Sequence, residues 1–230
     1  MQRRLKIIAI LFILVFPSSV YVFLTAGKEK SFVRIPYYGP KQAIRINDSG
    51  KVKTDTIYYH LPPFRFYNQE GKTVTSEQFT KKIWVASFTS FNGKDAPALA
   101  VTMNRIEERT NLDTGLRMVT FALDSESAKS MEDYAKMIHV GGKRRIFLSG
   151  NKEQLNQLAT EGFYKAVDSS TAKGFIHFFL IDKEGCFRGI YNGLLIKDVD
   201  YLIDDISKLE ANYIIQYEKK HKNEHDDDAI

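Results

Sequence analysis

Apolar positions follow two rhythms along this chain. Ile83 to Phe88 and Leu116 to Leu123 are short, nearly unbroken apolar runs bounded by polar residues, the pattern of strands buried on both faces. Between them, Leu99, Met103 and Ile106 recur at helical spacing behind Pro97, which predicts a helix from Pro97 to Arg109 with the proline in its first turn. Met131, Tyr134, Ala135 and Ile138 mark a second amphipathic helix over Ser127 to Ile138, stopped by Gly141 and Gly142. A short strand over Arg145 to Leu148, a helix over Asn151 to Thr160 capped by Asn151, and a brief extended piece over Phe163 to Val167 follow. Phe175 to Ile181 and Cys186 to Tyr191 read as a hairpin across the turn Asp182-Lys183-Glu184-Gly185. A last helix, Lys197 to Tyr217, gathers Val199, Leu202, Ile203, Ile206 and Leu209 on one face. Upstream, Phe64 and Phe66 alternate with polar residues and return through Thr73 and Val74, which predicts another hairpin, with a short helical turn at Ser76 to Phe79. Strands alternating with helices describe a compact three-layer α/β domain over residues 57–217.

The ends behave differently. Ile7 to Ala26 is an uncharged run, about the 20 residues needed to cross a bilayer as a helix, interrupted by Pro17, Ser18 and Ser19. It reads either as a transmembrane anchor or as a signal peptide with its apolar part at Ile7 to Phe16. Apolarity resumes from Val20 to Leu24 without a clean processing site, which favours the anchor. Arg3, Arg4 and Lys6 then keep the N-terminus in the cytoplasm and send the main domain out, as a single-pass protein of the inner membrane with a periplasmic domain. Residues 1–27 are thus the anchor, 28–56 a linker broken by Gly39-Pro40 and Ser49-Gly50, and 218–230 a charged, disordered tail.

Cys186 is the only cysteine, so no internal disulfide can form, and none follows the apolar run to carry a lipid. The net charge of +5 is spread among both signs without a basic block, which excludes a nucleic-acid surface and leaves the membrane as the partner implied by the sequence pattern. The polar loop Ser90 to Ala96, between the central strand and the proline-headed helix, lies where an α/β domain places its chemistry. It carries Lys94 and Asp95 but neither a thiol nor a histidine.

The order of elements is that of thioredoxin-like domains. Three stretches resemble the SCO/SenC family: Pro63 to Thr75, Phe147-Leu148-Ser149-Gly150, and Leu180 to Gly185 with Arg188-Gly189-Ile190-Tyr191-Asn192-Gly193. The resemblance covers residues 57–210 and implies a thioredoxin-like three-layer domain with an N-terminal β-hairpin, preceded by one transmembrane helix. It also implies a role in copper delivery to cytochrome c oxidase and extracytoplasmic thiol chemistry. That chemistry uses a Cys-x-x-x-Cys-Pro loop and a distant histidine, a soft donor set for Cu(I). Aligning Pro97 with the family's proline puts Asn92 and Ala96 at the thiol positions, and counting from Val85 moves the first to Gly93. No residue from Phe91 to Pro97 is a thiol, so the resemblance implies a divergent member without the family's redox pair.

His177, in Gly174-Phe175-Ile176-His177, resembles the family's histidine segment and is the sole candidate metal ligand, although it lies closer to Asp182 than the family's histidine does. Its place on a strand reads as structural unless it points at the loop. His221 and His225, with Glu224 and Asp226 to Asp228, lie in the tail with nothing to fix them, and His60 and His139 sit at element ends. A lone thiol outside the loop argues against an oxidoreductase or peroxidase. The reading is therefore a membrane-anchored, redox-inactive SCO/SenC-like protein with an accessory, partner-binding role in respiratory assembly and no resident cofactor. The alternative is a copper chaperone with altered ligands including His177.

Overall fold

A computed structural model describes residues 35–48, 51–110, 115–123, 128–138, 144–163 and 176–227. The run Ile7 to Ala26, and with it the anchor or signal peptide, lies outside them, as do His139 and Gly174-Phe175. Among the described residues no helix is long and apolar enough to cross a membrane. The described residues fall into two units, Ile35 to Tyr213 and, in the second, Ile214 to Asp227.

The first unit is built on a seven-stranded mixed sheet of β3 (Arg65–Asn68), β4 (Thr73–Thr75), β5 (Trp84–Thr89), β6 (Arg117–Ala122), β7 (Arg145–Ser149), β8 (His177–Ile181) and β9 (Phe187–Asn192). Their order across the sheet is β4-β3-β7-β6-β5-β8-β9. Strands β5, β6 and β7 run parallel, and β8 returns antiparallel beside β5, with Ser87 opposite Phe178. Helices α1 (Ala96–Arg109), α2 (Ala128–Met137), α3 (Lys152–Gln157) and α4 (Ile196–Asp227) cover the faces.

Strand alternation divides the core cleanly. Val85, Met118, Phe178 and Leu180 pack with Leu99, Met103 and Ile106 of α1 and Leu202 and Ile206 of α4. Ala86, Phe88, Phe121, Leu148 and Phe179 face the other way, onto Phe64, Leu155, Leu158 and Phe163. Because both faces are covered, β5 is buried at every position, which is why its sequence reads as a continuous apolar run.

Two local expectations are corrected, and the helix capped by Asn151 is present with a widened end. The stretch read as a linker holds an antiparallel hairpin, β1 (Lys41–Asp48) with β2 (Lys51–Tyr58), whose Tyr58 ring stacks on Tyr37 at 3.7 Å. The helix over Asn151 to Thr160 starts from the Asn151 side chain, which accepts from the Glu153 and Gln154 amides, and then widens into a π turn, Leu158–Gly162. The final helix does not stop at Tyr217: α4 runs to Asp227, so the charged stretch expected to be disordered is helical to that point. Within the second unit, the His221 Nδ1 donates to the Tyr217 carbonyl at 2.9 Å.

Candidate functional site at the carboxyl end of the sheet

The loop Ser90 to Asp95 leaves β5 at the carboxyl end of the parallel strands and tightens through two turns, with Gly93 N–H donating to the Ser90 carbonyl and Ala96 N–H to the Gly93 carbonyl. Asp95 sits at the helix N-cap without capping through its side chain, and Pro97 occupies the first turn, where its missing N–H does no harm. Asn92 points outward. Ala96, the second position at which the family would place a thiol, is 1% exposed.

What buries Ala96 is an aromatic plug. Phe91 stacks on Tyr134 of α2 at 4.2 Å and meets Phe147 edge-on, while the Tyr134 hydroxyl donates to the Ala96 carbonyl at 3.2 Å. Burial pushes the Tyr134 phenol up. The loop is thereby fastened by apolar contact and one hydrogen bond, with no donor atom suited to a soft metal at either thiol position.

His177 begins β8 at the same end of the sheet, since Ser87 of β5 opposes Phe178. Its alternation, however, matches Phe179 and Ile181, which face α3, whereas α1 and the loop lie on the face of Phe178 and Leu180. It is half-buried, and desolvation holds its imidazole below the usual range, opposed by Asp198. Among the described residues, no group of three or more His, Cys, Asp or Glu side chains is placed to hold a metal ion. The donor set therefore does not fit copper as a Cys-Cys-His site would.

At the same end of the sheet, the turn after β9 exposes apolar side chains. The turn after β9 packs Gly193 against α1, its carbonyl accepting from the Thr102 hydroxyl at 2.8 Å, and a Cβ there would meet Leu99 and Phe178 within 3 Å. The turn leaves Leu195 and Ile196 53% and 68% exposed.

Cys186 lies at the far end. It bridges to His60 across an isolated β-pair, with its sulfur 3.6 Å from Nδ1, and Nδ1 donates to the Glu184 carbonyl at 2.8 Å. Burial, reinforced by the carboxylates of Asp182 and Glu184, pushes the thiol up to about 12. The thiolate is thus negligible near neutral pH. His60 had no partner visible in the sequence, because the contact spans 126 residues.

Around the same turn, the buried Asp182 carboxylate accepts from the Cys186 and Glu184 amides and pairs with Arg188 at 2.9 Å. Burial raises the Asp182 carboxyl, and these bonds oppose the rise. Arg188 in turn donates to the Ile35 carbonyl at 2.7 Å and lies 3.9 Å over the Tyr37 ring.

A mixed sheet with a helix springing from the carboxyl end of a central parallel strand, a closing hairpin and a terminal helix defines a thioredoxin-like protein of the SCO/SenC kind. The chain belongs to the SCO1/SenC family, whose pattern matches residues 53–211. It is similar to a SCO1 protein homologue of Bacillus subtilis (strain 168), 25% identical over a 166-residue alignment that covers 68% of this chain and 86% of that one. Among solved structures, it resembles a SCO1/SenC family lipoprotein from Bacillus anthracis str. Ames at TM-score 0.57 and 21% identity, covering 66% of this chain and 95% of that one. It also resembles Bradyrhizobium japonicum ScoI with copper bound, at TM-score 0.52 and 17% identity, covering 66% and 99%.

Proposed function

We propose that this chain is a membrane-anchored, extracytoplasmic member of the family that has given up thiol redox chemistry and contributes to cytochrome c oxidase assembly by binding a partner. A structural relative, BsSco, is described as a member of the Sco family of cytochrome c oxidase assembly proteins. The observation that carries the reading is the sealed loop: Ala96 is buried where a thiol would be needed, under the Phe91-Tyr134 stack. Cys186 offers no substitute, being buried at the other end of the sheet with its thiol held protonated. The exposed Leu195 and Ile196, in the turn after β9 at the same end of the sheet, are consistent with a protein partner there.

The test is genetic complementation read as assembled oxidase activity. Cells lacking the chain are expected to lose assembled oxidase, and Cys186→Ser is expected to restore it as fully as the original. Normal assembly without the chain would remove the accessory role. A folded Cys186→Ser protein that failed to restore assembly would restore redox chemistry to the account. Titration with Cu(I) against a competing chelator separates the altered-ligand reading, which requires tight binding that His177→Ala abolishes.

A further inference from the structure

Strand β3 lies between β4 and β7, but β7 accompanies it only at Tyr67 and Asn68. Beyond Ser149 the chain turns away through Gly150 into α3, while β3 continues back to Arg65. In the β3-β4 ladder, Asn68 N–H donates to the Lys72 carbonyl and Ser76 N–H to the Phe64 carbonyl, so the even-numbered residues of β3 bond to β4. The N–H and C=O of Arg65 therefore face the other edge, where no strand among the described residues takes them up.

That edge opens on a notch of about 330 Å3. Pro62, Phe64, Phe66 and Leu158 give it an apolar floor, and Gln154, Gln157 and Glu161 rim it. Its far wall is the π turn Leu158–Gly162, a widened turn of a kind concentrated at functional sites. A side chain at Gly162 would meet Leu158 at 2.8 Å and Pro62 at 3.1 Å, so glycine keeps this wall tight against the proline. The Glu161 carboxylate is held by the Gln157 amide at 2.9 Å and forms no ion pair among the described residues, although Arg65 also lines the notch. Strand β3 lies three strands from β5, about 14 Å across the sheet.

We propose that this notch binds an extended peptide segment of a partner protein. The segment adds a short strand to β3 at Arg65, seats one bulky apolar side chain on the Phe64-Phe66-Leu158 floor and places a lysine or arginine against Glu161. The open backbone edge calls for a β-conformation ligand, since it can exchange N–H and C=O bonds only with another extended chain. The apolar floor sets the side chain, and the unneutralised carboxylate sets the charge beside it. The glutamine amides supply further bonds to the peptide backbone. The inference stands apart from the oxidase reading and does not depend on it.

The probe is the capped hexapeptide acetyl-TVLKVT-amide, titrated against the full-length chain and followed by fluorescence anisotropy and amide NMR. Saturable binding is expected, with shifts concentrated at Arg65, Phe66 and Gln154 to Gly162. The same peptide N-methylated at two consecutive central residues, so that whichever amide faces Arg65 is lost, is expected to bind at least about tenfold more weakly. Glu161→Lys, at an exposed position that leaves the fold alone, is expected to weaken the lysine peptide at least about fivefold and to favour acetyl-TVLEVT-amide instead. No binding at millimolar peptide, shifts centred on β9 instead of β3, or equal binding of the methylated peptide would overturn the proposal. So would indifference of the Glu161→Lys protein to the peptide's charge.

Discussion

The two ends of the sheet have exchanged the roles expected of them. At the carboxyl end, where the family's chemistry would sit, the loop is closed by Phe91, Tyr134, Phe147 and a buried alanine. At the other end, a turn that only needs to reverse the chain holds a buried ion pair, the single cysteine and a histidine against its sulfur. Charge and sulfur are not themselves signs of reactivity. At the far turn they are desolvated and paired with one another, which suits a structural part, while the loop at the carboxyl end carries no thiol.

The sharpest test of that contrast is thiol reactivity. With the thiol near 12, alkylation of native Cys186 at pH 8 is expected to run more than about a thousandfold slower than that of the unfolded chain, as measured by iodoacetamide labelling with and without denaturant. Fast native labelling would show the far turn to be chemically live. Arg188→Met follows: leaving Asp182 buried without its partner should lower unfolding free energy by about 3–5 kcal/mol in denaturant titrations. Phe91→Ala, which unplugs the loop, should lose about 2–3 kcal/mol, less than a fully buried phenylalanine because the ring is half-exposed.

Tyr134→Phe keeps the stack and removes only the hydroxyl bond to Ala96, for a loss of about 1 kcal/mol. The smallest effect concerns pH. His177 titrates below its ordinary value of 6.5 in the fold, so near and below 6.5 the unfolded chain binds a proton that the folded chain refuses. Its contribution is present above that pH and is lost as pH falls through it. A His177→Gln protein should show a flatter stability profile between pH 7.5 and about 5.5 in thermal scans.

The sheet and its covering helices were legible because burial writes itself into the chain. Strand β5 is apolar throughout because it is covered twice, and Leu99, Met103 and Ile106 mark the face that covers it. The β1-β2 hairpin escaped because the apolar alternation of Lys41 to Asp48 is confined to Ile44 and Ile46, too short a period to tell from a linker. The last turns of α4 escaped for the same reason: Lys219 to Asp227 is charged on every side, so helix formation there leaves no stripe.

The absence of thiols from the loop was plain in the sequence, but what fills their place was not. Phe91 meets Tyr134 and Phe147 from elements 43 and 56 positions away, and no local spacing announces such contacts. His60 beside Cys186 is invisible for the same reason. The notch beside Arg65 is harder still, since its defining feature is a backbone edge exposed by where β7 happens to turn.

The Arg188 clamp also makes the far turn a point of mechanical attachment. Ile35 is held by the Arg188 guanidinium, Tyr37 lies under it, and the Tyr38 N–H donates to the Phe187 carbonyl, so the chain is fastened to β9 over four consecutive residues. A pull arriving from the residues before Ile35 meets the clamp before it meets the β1-β2 hairpin. Tension is thus delivered to the rim of the sheet through an ion pair anchored on Asp182, and the sealed loop at the opposite end is shielded from the load by the length of the strands.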